Sequence, residues 1–241
     1  MEPTILYEDK DILVINKPSG LVVHSDGKTE ESNLVDWVLS KYPEMKEVGE
    51  PGRDSSGEEV LRSGIVHRLD RDTSGVMLLA KTQEAHSFLK EQFQKRETEK
   101  TYHAFVFGEL KTKEGLIDRP IGRSSKDFRM KSAQRGARGV LKEAETHYKV
   151  VSTKGGYSFI EVTPKTGRTH QIRVHFKAIS YPLVGDSLYA PNRENTIGFS
   201  RLALHSYKLK FKGLDGSFHE IVAPYPKDFK EALEKFNALS E

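Results

Sequence analysis

Apolar positions along the 241-residue chain change period several times, and each change marks a predicted element. Residues 4–7, 12–16 and 21–23 are short apolar, β-branched runs that predict strands, with Pro18-Ser19-Gly20 as the turn between the last two. Ser32-Asn33 then offers a helix cap, and Val35, Val38, Leu39 and Tyr42 recur at helical spacing. The glycine-rich, charged segment 49–64 has no period and predicts a mobile surface loop. After residues 65–70 comes a turn at Thr73-Ser74-Gly75 and an apolar strand over 76–80. Ala85, Phe88, Leu89 and Phe93 give the following helix one apolar face. In residues 101–107, Tyr102, Ala104 and Val106 alternate with His103, Phe105 and Phe107, as in a strand.

The second half repeats short strands. Residues 144–152 and 157–163 pair across Lys154-Gly155-Gly156, and 201–211 and 218–222 pair around Asp215-Gly216. A helix is expected from just after Gly167 to Ser180, where Ile172, His175, Phe176 and Ile179 share a face, and an amphipathic helix over 226–239 closes the chain. Hairpins with irregularly interspersed helices predict an α+β fold with a mixed, mostly antiparallel central sheet and flanking helices.

Composition narrows the chemistry. The chain is 36% hydrophobic and 30% charged, as in a soluble globular protein, and the sequence has no cysteine for disulfides, thiolate nucleophiles or thiolate metal sites. No apolar run reaches the ~18 residues that span a bilayer. The acidic start, Met1-Glu2-Pro3-Thr4, lacks the basic and apolar regions of a secretion signal, so the cytoplasm is the expected location. Glycine-rich phosphate loops and the Gly-x-Ser-x-Gly elbow are absent from the sequence, and His170 and His175 are spaced too far around a helix to share a metal. No metal and no organic cofactor is expected.

The net charge is only +3, but residues 119–142 carry eight cations (Arg119, Arg123, Lys126, Arg129, Lys131, Arg135, Arg138, Lys142) against Asp127 alone. Such spacing suits the phosphates of a polyanion; a solvated hairpin is the plainer alternative. Two further blocks concentrate polar function. In His67-Arg68-Leu69-Asp70-Arg71-Asp72-Thr73-Ser74-Gly75, flanking arginines would keep Asp70 ionised and able to act as a nucleophile, or the block is an Asx turn with surface ion pairs. In Gly167-Arg168-Thr169-His170-Gln171-Ile172-Arg173, a glycine turn opening a helix offers an anion site with Arg168 at its end. His170 and Arg173 then share a face opposite Ile172 and Phe176; a solvated cationic face is the alternative.

Taken in order, Asn16-Lys17-Pro18-Ser19-Gly20, His67-Arg68-Leu69-Asp70-x-x-Thr73-Ser74-Gly75, Lys100-x-Tyr102-x-Ala104-x-Val106-x-Gly108, the stretch from Gly167 to His175, and Leu202-x-Leu204-His205 resemble the RluA-type pseudouridine synthases. The resemblance covers nearly the whole chain. It implies the pseudouridine synthase fold with a central cleft, here a single catalytic domain of two closely joined halves over 1–241. Family members often carry a small RNA-binding domain ahead of the catalytic one, and none is expected here.

The implied activity is isomerisation of specific uridines in structured rRNA or tRNA, without cofactor: uracil leaves C1′ of the ribose, turns within the site and is rejoined through C5. By position, Asp70 matches the catalytic carboxylate, attacking C6 of the base or C1′ of the sugar. Tyr102 matches the tyrosine that stacks on uracil and removes a proton, and Arg173 the arginine that pairs with the aspartate. Arg68 would fill the space of the flipped nucleotide or hold its phosphate, and Leu204 would form apolar wall beside the base. Lys17 and Arg168 are phosphate candidates, with His170 on the same RNA-facing surface. Arg135 and Arg138 belong to a basic hairpin expected to line the cleft and close on RNA. RNA is the expected partner, with no membrane, no obligate protein partner and a monomeric state. The rival reading is a non-catalytic RNA-binding protein that keeps the fold. A carboxylate-based glycoside or nucleoside hydrolase is disfavoured because it needs two cooperating carboxylates, and no Glu stands out as partner to Asp70.

Overall fold

The computed structural model describes residues 2–24, 31–53, 57, 59–60 and 62–239. In chain order these form β1 (Thr4–Glu8), β2 (Ile12–Lys17), α1 (Leu34–Lys41), a 3-10 turn (Pro43–Glu47), β3 (Gly52–Arg53), β4 (Glu59–Val60), β5 (Ser74–Ala80), α2 (Gln83–Lys95), β6 (Glu99–Phe107) and β7 (Glu114–Asp118). There follow β8 (Ile121–Arg123), β9 (Lys131–Ser132), β10 (Arg138–Lys142), β11 (Glu145–Lys154), β12 (Tyr157–Pro164), α3 (Gln171–Ala178), β13 (Leu204–Lys212), β14 (Phe218–Val222) and α4 (Lys227–Ala238). The architecture is α+β with a mostly antiparallel sheet. The chain divides into two compact units, residues 1–99 with 208–224 and residues 100–207 with 225–241.

In the first unit the strand order is β1-β2-β5-β13, with β14 on β13. β2 and β5 pair antiparallel from Ile12 opposite Ala80 to Lys17 opposite Gly75. Both are covered on two faces, which is why they read as continuous apolar runs. α2 lays Ala85 and Leu89 against Val76, Leu78 and Ala80. The predicted cap of α1 is a full capping box: Asn33 accepts from the Val35 and Asp36 amides, and Asp36 accepts from the Asn33 amide.

Residues 21–23 form no strand; the Val22 carbonyl instead accepts from Leu34 N at the start of α1. Segment 49–64, expected to be featureless, contains the β3–β4 hairpin, although residues 54–56, 58 and 61 lie outside the described set. It is anchored where Gly49 N donates to Gln83 Oε1 and Gly64 N donates to the Val48 carbonyl. Gly64 has φ +81, and a Cβ there would stand 2.1 Å from the Ala80 carbonyl oxygen, so only glycine fits.

In the second unit the order is β13-β6-β12-β11-β7. The β11–β12 hairpin turns through Gly155 and Gly156, both at positive φ, matching the strand twist as the sequence predicts. Phe105 and Phe159 pack with Phe199 and with Phe229 and Phe236 of α4 in a hydrophobic core. Residues 119–142 are not a simple hairpin but a three-stranded antiparallel sheet in the order β10-β8-β9. It is anchored because Ile121 and Ala133 share a small core with Val174 of α3 and Tyr189.

α3 also starts later than its apolar period suggests. His170 adopts a left-handed conformation (φ 56, ψ 22) that a helix cannot continue. The Gln171 side-chain oxygen accepts from the Thr166 hydroxyl and from Arg168 N, holding the preceding turn. His175, on α3, is fully buried between the Thr146 hydroxyl and the Arg119 carbonyl, each 2.9 Å away. The carbonyl only accepts, so Nε2 carries the proton and Nδ1 accepts from Thr146.

Burial pushes the His175 pKa down from its ordinary value. The unfolded chain therefore binds more protons below about pH 6.5, and stability falls as pH falls through that value. Thermal unfolding followed between pH 7 and pH 5 should show a decreasing midpoint, with a shallower decrease in His175→Gln. A flat midpoint would contradict the neutral, doubly bonded ring.

Candidate active site

In the first unit, residues 66–73 run into β5 without a strand ladder of their own, and the tripeptide after β2 holds them. Gly20 N donates to the Arg71 carbonyl (2.9 Å), Ser19 Oγ to the Asp72 carbonyl (2.9 Å), and Thr73 N to the Asp70 carbonyl (3.2 Å). Lys17 completes the clasp. Its side chain is fully buried, and its ammonium donates to the carbonyls of Pro18 (2.9 Å), Leu21 (2.8 Å) and Arg71 (3.0 Å). An ammonium has three donors, and removing it from water is tolerable only when they are satisfied. Lys17, expected to meet RNA phosphate, thus turns inward and fixes the Asp70 turn.

Around that turn the side chains divide by exposure. Leu69 is buried, Asp70 is half-buried, and Arg68 is exposed. Arg71, expected to hold Asp70 ionised, directs Nη2 to the Glu31 carboxylate. His67 accepts from Leu78 N at Nε2 (2.9 Å) and stacks on Phe93 with centroids 4.5 Å apart, anchoring the segment behind Arg68 to β5 and α2.

In the second unit, the node is Arg173 in the first turn of α3. Its Nε and Nη2 each donate at 2.8 Å to a separate oxygen of Asp186, whose side chain is fully buried. Its guanidinium also lies 5.0 Å from the Tyr189 ring centroid, a cation–π contact. Asp186 Oδ1 accepts from the amides of Leu188 (3.1 Å) and Tyr189 (3.0 Å) as well, so the carboxylate shapes the turn that delivers Tyr189. Gly185 before it has φ +68, and a Cβ there would fall 2.0 Å from the Arg201 carbonyl oxygen. The Tyr189 hydroxyl accepts from Lys131 N of β9 (2.9 Å) and lies 3.0 Å from His170 Nδ1. His170 and Arg173 were expected to share a helix face, but the left-handed His170 lies outside α3; the two side chains instead meet at Tyr189.

Among the other predicted residues of this unit, Tyr102 is buried on β6 opposite Val162, and Leu204 is buried at the head of β13. Arg168 is half-buried, with Nε donating to the Glu143 carbonyl (2.9 Å). Arg135 and Arg138 are exposed, and Arg138 stands directly opposite Arg123 across β10 and β8. Like charges so placed repel, which an anionic partner relieves.

Asp186 and Tyr189 were not among the sequence candidates. The signal available was chemical: a helix arginine on a buried face requires a carboxylate. The sequence offers 35 acidic residues, and only the turn-forming Gly185-Asp186 pair hints at this one.

The chain is similar to known proteins over most of its length. A family model described as RNA pseudouridylate synthase matches residues 11–178. An uncharacterized RNA pseudouridine synthase of Bacillus subtilis is 38% identical over 235 residues, 97% of this chain and 73% of that protein. Ribosomal large subunit pseudouridine synthase D of Borreliella burgdorferi is 37% identical over 237 residues, 98% of this chain and 69% of that protein. The solved structure of Human RNA Pseudouridylate Synthase Domain Containing 4 superposes with a TM-score of 0.74 at 25% identity, covering 97% of this chain and 92% of that one.

The chain belongs to the RNA pseudouridylate synthase family. It is thus an isomerase whose substrate is RNA. Among the described residues no helix is long and apolar enough to cross a membrane.

Removing one partner of a buried, doubly hydrogen-bonded ion pair typically costs about 3–5 kcal/mol. Asp186→Ala should therefore lower the unfolding free energy by about that amount, read from denaturant titration. A loss under about 1 kcal/mol would place Arg173 in a solvated, weakly coupled environment.

Proposed function

We propose that the protein converts specific uridines of large-subunit ribosomal RNA to pseudouridine in the cytoplasm, acting as a monomer without metal or organic cofactor, with Asp70 as the catalytic carboxylate. The observation that carries the assignment is the clasp around Asp70. A fully buried lysine and two further donors fix the Arg71 and Asp72 carbonyls immediately after this residue, while its own side chain stays half-buried. A nucleophile gains from such a fixed backbone, because attack requires the reacting atoms to be held in a near-attack geometry. The rRNA target is supported by the similarity to the ribosomal large subunit pseudouridine synthase D of Borreliella burgdorferi.

In this reading Asp70 bonds to C6 of the uracil or C1′ of its ribose, the N1–C1′ bond breaks, the base turns, C5 bonds to C1′, and the bond to Asp70 breaks to free the carboxylate while C5 loses its proton and N1 gains one. Tyr102 stacks on the uracil and removes that proton, and Arg173 pairs with the catalytic carboxylate through guanidinium N–H groups other than the two that Asp186 holds. Arg68, exposed beside the turn, occupies the space of the extruded nucleotide or holds its phosphate, which offsets part of the few kcal/mol that unstacking costs. Leu204 supplies apolar wall, and Arg168 and His170 meet the RNA backbone. Arg135 and Arg138 add phosphate contacts from the basic sheet.

Incubation with large-subunit rRNA tritiated at uracil C5 should release tritium into water. Asp70→Asn should abolish release while leaving RNA affinity within a few-fold of the parent. Release by Asp70→Asn at the parent rate would refute the role of the carboxylate. Binding without release by the parent on any rRNA or tRNA would favour a binding protein that has lost turnover. The basic sheet is tested separately. Arg135→Ala with Arg138→Ala should weaken RNA binding at all sequences and flatten the slope of log affinity against log salt by roughly 2, about one for each lost phosphate contact. An unchanged slope would return these arginines to plain solvent exposure.

A further inference from the structure

We propose that Phe128, at the tip of the turn between β8 and β9, is a stacking platform for an unpaired base of the RNA that this protein binds. The proposal rests on RNA being the substrate. Phe128 is 90% exposed, in a unit whose other phenylalanines are buried. A single exposed phenyl ring is ordinary on a protein surface. This one differs in how it is held and in what surrounds it.

Both neighbours of Phe128 are locked to each other. Asp127 Oδ1 accepts from Arg129 N at 2.9 Å, and its carboxylate holds the Arg129 guanidinium at Nε (3.1 Å) and Nη2 (2.7 Å). The Asp127 carbonyl accepts from Met130 N (3.1 Å), and Ser124 N donates to the Met130 carbonyl (3.0 Å). Met130 packs on the small core that seats the sheet against α3. The ring is thus presented from a closed turn, and binding would cost little further ordering of the backbone.

Charge sets the kind of occupant. The pair with Arg129 engages the sole anion of residues 119–142, while among the described residues Arg123, Lys126, Arg135, Arg138 and Lys142 make no ion pair. An aromatic face among unneutralised cations is the combination that binds single-stranded nucleic acid: the cations follow the phosphates, and the ring takes a base whatever its identity. A duplex offers phosphates but no free base face. Phe128 should therefore discriminate between unpaired and paired RNA, which the cations alone cannot do.

The test is the affinity of Phe128→Ala, Phe128→Trp and the parent for oligouridylate and for an RNA duplex of equal length, across a salt series. Phe128→Ala should lose about five- to 150-fold affinity for oligouridylate, the range seen for one base–aromatic stack. Its salt slope and duplex affinity should match the parent. Phe128→Trp should retain affinity, and its emission should be quenched by oligouridylate; the native Trp37 is buried in the other unit. Equal affinity of Phe128→Ala and parent for oligouridylate, equal losses on both RNAs, or Trp emission that responds to phosphatidylglycerol vesicles but not to oligouridylate would each overturn the proposal. Tritium release is read independently. Its absence with a preserved Phe128 effect removes the isomerase reading alone, and its presence without a Phe128 effect removes the stacking reading alone.

Discussion

A cation taken out of water must have its donors satisfied by the protein, and two cations obeying that constraint hold this structure's functional segments in place. Lys17 sits among three carbonyls, one of them 54 residues away at Arg71. Arg173 is held by both oxygens of a fully buried aspartate and by an aromatic face. Each arrangement is costly to break, since an orphaned charge in low dielectric is far worse than the intact pair is good. The consequence is rigidity: the Asp70 turn in one unit and the opening of α3 in the other have little freedom to wander. Catalysis that depends on position needs that kind of support.

Within the second unit the same contacts continue outward. Tyr189 lies under Arg173, meets His170 and accepts from the backbone of β9, while Asp186 fixes both Arg173 and the turn leading to Tyr189. The basic three-stranded sheet is therefore seated directly on the residues of the α3 motif rather than hung from the chain as a loose loop. Its strands carry cations opposite one another and an exposed aromatic at a turn. Both features are uncomfortable in the free protein, and both would be relieved by a partner carrying phosphates and unstacked bases, as proposed for RNA.

The sequence revealed what is local. The capping box at Asn33, the Gly155-Gly156 turn and the amphipathic faces of α2 and α4 are legible because their causes lie within a few residues of each other. Residues 21–23 have the composition of a strand but no ladder partner, and a partner is a tertiary fact. The start of α3 was misplaced because periodicity cannot register the left-handed His170 or the Gln171 side chain that holds the turn before it. The site residues emerged as motifs, yet their environments did not. Nothing near Lys17 in sequence says that its ammonium turns inward toward Arg71, and nothing near Arg173 selects Asp186.

On the proposed mechanism a single carboxylate, Asp70, carries out uridine isomerisation in ribosomal RNA. Mapping pseudouridines across the rRNA of cells lacking this gene, and of the same cells carrying either the parent or Asp70→Asn, tests it most directly. One or a few large-subunit positions should lose the modification in the deletion, the parent should restore them and Asp70→Asn should not. An unchanged map in the deletion, or full restoration by Asp70→Asn, would contradict it.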